Sequence, residues 1–297
     1  MSAVQNNDSQ KKVVLISGAT SGIGRETALT LARAGYRVFA GDRNEYRGTA
    51  TELSQEAEKE NLPLSTVFLD VTIPHSPLNA VEVVMKEAGR IDVLINNAGY
   101  GLAGPLEELE IDEIIAQFNT NVFGLIRLTQ AVLPIMRQQK SGTLIFLSSI
   151  SGQFGFPFFS AYSASKHAVE ALGEALRYEL KSFGIHSVLV EPGMIKTGFV
   201  RKSLVIGKNC LRRDSSYTET GKTARDNYFK KDDVAPHPEI VAKKIVQILK
   251  LKHPALRYQV GKDSSLMIPL KKLLPPAWTE YFVLKNYDPG SLNAPKK

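Results

Sequence analysis

Short, wholly apolar runs alternate with helix-length segments along this chain, and that alternation limits the folds open to it. Val13 to Ser17 is such a run, and it stops at a glycine. An apolar run of this length ended by Gly reads as a buried strand. Gly22 to Ala34 follows with Ile23, Ala28, Leu29, Leu31 and Ala32 at helical spacing, and Gly35 closes it. Further strands are expected at Tyr36 to Ala40, Thr66 to Leu69, Ile91 to Ile95, Thr143 to Leu147, His186 to Val190 and Arg257 to Val260. Helices are expected over Glu45 to Glu60, about Ile111 to Arg137, and about Ser160 to Phe183. Strands apolar on both sides need cover on both sides. Alternation with helices then implies βαβ units: an α/β, doubly wound parallel sheet of about seven strands, with helices on both faces. No internal repeat or low-complexity linker divides the chain, so residues 11–297 read as one domain. Residues 1–10 read as a loose tail, 199–238 as an irregular capping segment and 239–297 as a C-terminal extension.

Composition narrows the setting. Hydrophobic residues make up 43% and charged residues 23%, an ordinary soluble balance. The start, MSAVQNNDSQKK, lacks the apolar run of a secretory signal. No stretch approaches the ~20 apolar residues a spanning helix needs. A single cysteine, Cys210, rules out an intrachain disulfide and fits a reducing compartment, so a cytoplasmic location is expected. Charge is unevenly placed: residues 196–297 hold 21 Lys and Arg against 9 Asp and Glu, whereas the first 195 hold 16 against 21. A basic last third suits an anionic membrane surface or an acidic substrate carrier, although solvated helix faces explain it more plainly. Nucleic acid is not expected, since no aromatic-interleaved basic motif or binding module is present.

After the first strand the chain reads Gly18-Ala19-Thr20-Ser21-Gly22-Ile23-Gly24. Gly18 permits a tight turn, Gly22 lets backbone approach a pyrophosphate, and Gly24 lets helix pack close to strand. The helix N-terminus then offers unpaired N–H groups and partial positive charge, the setting of a Rossmann-type nucleotide site. The second strand ends in Gly41-Asp42-Arg43. A carboxylate there accepts both ribose hydroxyls of NAD and repels a 2′-phosphate, while Arg43 can bind that phosphate. The two signals conflict. Asp42 favours NAD, and NADP stays open.

The pattern YxxxK occurs three times, at Tyr162/Lys166, Tyr258/Lys262 and Tyr281/Lys285. Only the first lies in a long amphipathic helix, where i and i+4 share a face. Only the first has a serine 13 positions upstream, Ser149, at the carboxyl end of an expected strand. Ligands in open parallel sheets bind beyond those ends. Carbonyl reduction needs a hydride, which a nicotinamide supplies, and a proton. A tyrosine of pKa ~10 exchanges protons poorly near neutrality. A lysine ammonium at ~4 Å, in an effective dielectric of ~20, favours the phenolate by ~4 kcal/mol, about three pKa units. Ser149 can steady charge on the substrate oxygen, with Ser148 its nearest competitor. His167 points about 100° away from Lys166 and reads as a surface or packing residue. Glu174 and Glu179 have no metal-ligating neighbours, and Cys210 has no base at motif spacing, so neither a metal site nor a thiol nucleophile is expected.

With these residues in place the chain resembles the short-chain dehydrogenase/reductase family. Thr20-Ser21-Gly22-Ile23-Gly24, Asn96-Asn97-Ala98-Gly99, Ser149, Tyr162-Ser163-Ala164-Ser165-Lys166 and Glu191-Pro192-Gly193-Met194-Ile195-Lys196-Thr197 occur in the family's order over roughly residues 12 to 200. The resemblance implies NAD(P)-dependent interconversion of an alcohol and its carbonyl, with Ser149, Tyr162 and Lys166 catalytic and Asn121 holding a relay water near Lys166. It implies that Asn97, Ala98 and Gly99 line the adenosine side, that Asp70, followed by Val71, meets the adenine, and that Ile195 and Thr197, after Pro192 and Gly193, contact the carboxamide. Ser17 stands where the family commonly has Thr, and it keeps the hydroxyl. The layout beyond Thr197 is similar to the steroid- and retinol-dehydrogenase-like branch, which implies a small lipophilic substrate. The two long helices resemble those that pair family subunits, which implies a homodimer or homotetramer. Alternatives are an NADPH-dependent 3-oxoacyl thioester reductase and a non-catalytic nucleotide-binding protein, though the latter should have lost Ser, Tyr or Lys. The apolar stretch from Leu266 to Phe282, carrying Lys271 and Lys272, could rest on a membrane surface or wall an apolar pocket.

Overall fold

The structure is a computed structural model that describes residues 11–43, 48–199, 203–212 and 214–287. The expected tail, residues 1–10, lies outside them. Its strands are β1 (Val13–Ile16), β2 (Arg37–Asp42), β3 (Leu64–Phe68), β4 (Val93–Asn96), β5 (Gly101–Ala103), β6 (Gly142–Leu147), β7 (Ile185–Pro192), β8 (Leu204–Ile206) and β9 (Arg257–Val260). Seven of these form one sheet in the order β3-β2-β1-β4-β6-β7-β9. Every pairing in it is parallel. The helices are α1 (Gly22–Arg33), α2 (Gly48–Lys59), α3 (Ser76–Ala88), α4 (Ile111–Phe118), α5 (Leu125–Gln139), α6 (Ser160–Glu179), α7 (Thr218–Asp233), α8 (Glu239–Leu249), α9 (Lys262–Leu273) and α10 (Pro276–Tyr287).

Strand alternation divides the core into two layers. Val14 and Ile16 of β1 face α1 and α8, packing with Ala28, Leu29, Val241 and Ile245. Val13 and Leu15 face the other way, onto a layer built from α3, α5 and α6 with Val84, Leu128, Val132 and Val169. The apolar runs of the sequence are therefore apolar because both of their faces are covered.

Four features depart from the sequence expectations. The expected helix over Ile111 to Arg137 is broken by a π-helical stretch, Asn119–Gly124, between α4 and α5. There Gly124 lies so close to Val71 that an added Cβ would stand 2.7 Å from a Val71 methyl. Helix α3 was not expected, although Pro77 at its start, buried Ala80, Val81 and Val84, and Gly89 at φ 69° signal it. The segment read as irregular contains α7, whose only buried residues are Ala224 and Asp232, so its sequence shows almost no apolar period. Strands β5 and β8 make a separate two-stranded parallel sheet. The apolar stretch near the end is helical, as α9 and α10.

Candidate active site

The glycine turn is built as its spacing requires. Gly18 and Gly22 have φ of 62° and 53°, in the left-handed region. A Cβ on Gly24 would stand 2.2 Å from the Gly18 carbonyl oxygen, so only glycine fits. Ser21 precedes α1 in an extended conformation and makes no side-chain cap, which leaves the first N–H groups of the helix for a ligand. Asn97, at the end of β4, ties the turn down: its Nδ2 donates to the carbonyls of Ser17 and Gly18 at 3.0 and 2.8 Å. The Ser17 hydroxyl accepts from the N–H groups of Asn97 and Ala98, both at 3.1 Å. The serine thus does what a threonine hydroxyl would do here. Gly22 and Thr197 are also neighbours, since a Cβ on Gly22 would meet the Thr197 Cβ at 3.2 Å. The turn, Asn97 to Gly99 and Ile195 to Thr197 therefore surround one space, beyond the carboxyl ends of β1, β4 and β7.

Asp42 is buried at the end of β2 and accepts from Thr20 Oγ1 at 3.3 Å, while Arg43 beside it is exposed. Asp70 accepts from the Thr72 N–H and hydroxyl at 2.8 and 2.7 Å. The Val71 carbonyl accepts from Arg127, a residue that the sequence did not single out.

Tyr162 and Lys166 are buried one turn apart on α6, at 9% and 7% exposure. The other two matches are not built this way. Tyr258 lies on β9 with its hydroxyl accepting from the Ala255 N–H, and Tyr281 is exposed on α10. Ser149 follows β6 and caps a short 3-10 turn, Ile150–Gly152, by accepting from the Ser151 N–H at 3.1 Å. Its side chain also acts on the Tyr162 hydroxyl, favouring the ionised form. Lys166 Nζ donates to the Leu147 carbonyl at 2.7 Å and sits 5.8 Å from the Tyr162 ring centre.

The electrostatic expectation is corrected here. Burial pushes the Tyr162 hydroxyl up to about 12, and the Ser149 hydrogen bond only partly opposes this. Burial also lowers Lys166 to about 8, with Glu170 pulling the other way. The ammonium is turned toward Leu147 and is itself desolvated, so it does not bring the phenol to neutrality. Tyr162 rests as the neutral phenol. Asn121 sits in the π-helical stretch, where its Nδ2 donates to the Tyr100 carbonyl and Ser165 Oγ and its Oδ1 accepts from the Tyr100 N–H. Its side chain is thus committed to Tyr100 and Ser165 and makes no hydrogen bond to Lys166. His167 is exposed, its ring nitrogen 2.8 Å from the Ser163 carbonyl.

Sequence reasoning missed Asp263. It stands at the start of α9 and accepts from the Met194 N–H at 2.7 Å, holding the loop after Pro192 and Gly193. A Cβ on Gly193 would fall 1.9 Å from its carboxylate, so the glycine makes room for it. The two residues are 69 positions apart, and no local spacing could reveal the contact.

A profile of the short chain dehydrogenase family matches residues 12–204. This chain belongs to the short-chain dehydrogenase/reductase family. It is 37% identical over 252 residues to 3-ketodihydrosphingosine reductase of Bacteroides thetaiotaomicron, covering 85% of this chain and 88% of that one. It is 36% identical over 273 residues to retinol dehydrogenase 8 of Bos taurus, covering 89% and 86%. A short-chain dehydrogenase from Streptomyces avermitilis has the same fold, with TM-score 0.79 at 31% identity over 95% of this chain and 99% of that one. Two other solved structures, each at 27% identity, hold NADP or NADPH. The expected steroid- and retinol-dehydrogenase-like branch is where such relatives lie. The enzyme is an oxidoreductase of CH–OH groups that works with a nicotinamide nucleotide, NAD or NADP.

The crowding at Gly24 makes a direct prediction. Gly24→Ala should lower NADH or NADPH affinity at least tenfold in a fluorescence titration, because a Cβ must displace the Gly18 carbonyl and with it the turn. Unchanged affinity would show that the turn does not hold the nucleotide.

Proposed function

We propose that this enzyme interconverts a lipophilic carbonyl compound and its alcohol, with Tyr162 as the acid/base group. The observation that carries the reading is the buried Tyr162, with Ser149 acting on its hydroxyl and the Lys166 ammonium one turn away. The residues around the glycine turn fit a dinucleotide, since glycine is required where a phosphate would meet backbone and the α1 N–H groups are uncapped. When bound, the nicotinamide supplies or accepts the hydride. Ser149 then orients the substrate oxygen and stabilises its developing charge. Tyr162 gives that oxygen its proton, and Lys166 stabilises the phenolate left behind. A neutral phenol beside an ammonium is the protonation state ready for carbonyl reduction. Alcohol oxidation instead requires the phenol to ionise first. Asp42 favours NAD, and exposed Arg43 keeps NADP available.

The aromatic surroundings support a lipophilic substrate. Phe159 and Phe199 lie 6.2 and 5.7 Å from the Tyr162 ring, and Ile150, Phe154 and Ile268 extend the cluster. A cavity of about 1010 Å³ adjoins it, walled by Phe154, Met194, Leu266, Leu270 and Phe282. Lys231, Lys262 and Lys271 also line the cavity, which with the basic last third favours the second reading, a 3-oxoacyl thioester on an acidic carrier. With Ser149, Tyr162 and Lys166 all present and together, the geometry gives no support to a non-catalytic role.

The test is turnover of retinal, a 3-oxosteroid, 3-ketodihydrosphingosine and acetoacetyl thioesters with each nucleotide. Tyr162→Phe should lower the rate at least a hundredfold with nucleotide affinity unchanged, within the range typical of a lost acid/base group. Retained activity sinks the mechanism. The reduction rate should also fall as pH rises above about 8, where Lys166 loses its proton. A profile that stays flat to pH 10 removes Lys166 from the chemistry.

The cavity borders an exposed apolar surface. Leu273 is 81% exposed and Trp278 57%, with Leu266 and Tyr281 nearby on α9 and α10. Among the described residues no helix is long and apolar enough to cross a membrane. Lys272 and Lys285 add positive charge, so we assign this face to an anionic lipid surface from which the substrate enters. Pelleting with phosphatidylserine vesicles should be lost in a Leu273→Glu, Trp278→Glu variant. An intact enzyme that stays in the supernatant at low salt excludes the lipid surface.

A further inference from the structure

Three segments that this chemistry needs meet at a buried polar cluster behind the site. Gln153 ends the 3-10 turn that Ser149 begins. Glu170 lies one turn after Lys166 on α6, on the same face. Glu191 is in β7, directly before Pro192 and the loop that Asp263 holds. Gln153 Nε2 donates to Glu191 Oε1 at 2.8 Å and to Glu170 Oε2 at 3.1 Å. Arg257 of β9 donates to Glu170 at 2.9 Å and to Glu174 at 2.6 Å, and lies 3.7 Å from Glu191. Gln259 donates to the other Glu191 oxygen. Ser264 of α9 donates to the Glu191 carbonyl at 2.6 Å.

The charges of this cluster do not balance if both acids ionise. Glu170 and Glu191 are 5% and 0% exposed, and they share Arg257 with a third carboxylate, Glu174. Fully buried beside Glu170, and with Arg257 divided among three carboxylates, Glu191 resists ionisation. Glu170 Oε1 is also buried without a hydrogen-bond partner among the described residues, as is Ser148 Oγ, and both residues flank Gly152. The space behind the Ser149 turn is thus tight and incompletely hydrogen-bonded, and added charge there is costly.

We propose that Gln153, Glu170, Glu191 and Arg257 form a positioning cluster that locks the Ser149 turn, the Tyr162/Lys166 helix and the nicotinamide-facing loop together, and that the lock holds while Glu191 is protonated. The proposal rests on the reading of Ser149, Tyr162 and Lys166 given above. None of the four residues touches substrate; they act through the segments they join. Burial, then the nearness of Glu170, raises Glu191 to about 7. Of the charged groups packed around the pair, Lys166 of α6 acts on Glu170 and Arg257 of β9 on Glu170, Glu174 and Glu191, while from α9 Lys271 donates to the Gln153 carbonyl, Lys272 lies near Glu174 and Asp263 accepts from the Met194 N–H. Below about pH 7 Glu191 keeps its proton and adds no charge beside Glu170. Above it Glu191 ionises against Glu170, and the end of β7 is pushed from α6. A folded value raised above the unfolded one gives stabilisation present at low pH and lost as pH rises through about 7.

The test is NADH affinity from pH 6 to 8.5, by fluorescence, on the full chain. NADH lacks a 2′-phosphate that would titrate in this range. The wild type should bind up to about tenfold more weakly at the upper end, the equivalent of one pKa unit. Glu191→Gln, which cannot ionise, should abolish that dependence. A Glu191→Gln curve parallel to the wild type overturns the proposal, whatever the thermal stability. Should that variant not fold, Arg257→Gln decides: removing the positive charge should move the inflection above pH 8, and an unmoved inflection overturns the proposal. In turnover, Gln153→Ala should lower kcat about tenfold with KM within twofold, and an unchanged kcat removes the link to Ser149. Tyr162→Phe separates the two readings. If it is dead while the cluster variants behave as wild type, only the cluster fails. If it is active, the chemistry fails, and the NADH titration still judges the cluster.

Discussion

At the carboxyl ends of β1 and β4 the chain leaves for opposite faces of the sheet, and the gap this opens is closed by the side chain of Asn97. Its amide reaches back to the Ser17 and Gly18 carbonyls, while the Ser17 hydroxyl takes two N–H groups in return. Everything at the site is positioned from this clasp. It fixes the glycine turn, which fixes the uncapped start of α1. It also holds Gly18 so near Ala98 and Asn97 that a side chain there would collide. A parallel sheet offers such a gap only where its strand order reverses, so fold and nucleotide site are one feature.

Burial then sets the chemistry against its own electrostatics. Lys166 and Tyr162 each lose water, and each is driven toward its neutral form, the lysine to about 8 and the tyrosine to about 12. Glu191 is driven the same way, to about 7. A site with an exposed lysine would hold more charge and less leverage, since an ion pair in water contributes little. Desolvation makes each proton costly to misplace, and a bound substrate or nucleotide has that cost to redistribute.

What the sequence displayed was whatever is local. The glycine turn, the Tyr162/Lys166 spacing and the apolar strands need only a few residues to be recognised, because their physics acts over one turn or one pleat. Helix α7 escaped because its surface is nearly all polar, and the π-helical stretch escaped because Asn119 to Gly124 differs from a helix only in its tertiary neighbours, Val71 and Tyr100. The sign of the Tyr162 shift was misjudged for a related reason. Spacing gives the distance to Lys166, but not the burial that outweighs it. Asp263 with Met194, and Glu191 with Gln153 and Arg257, join residues 38 to 69 positions apart, and no pattern in the chain marks them.

These long-range contacts change how the last third of the chain must be understood. The last third lines the cavity. Here β9 also supplies Arg257 and Gln259 to the Glu191 carboxylate, and α9 supplies Ser264 and Asp263 to the Glu191 carbonyl and the Met194 N–H on either side of Pro192. The walls of the cavity, Leu266 and Leu270, are on the same helix as Asp263. A substrate that shifts α9 therefore shifts the Met194 N–H and the Glu191 carbonyl with it. With the substrate in this cavity and the nicotinamide at the loop after Pro192, as proposed, α9 couples the fit of one to the placement of the other.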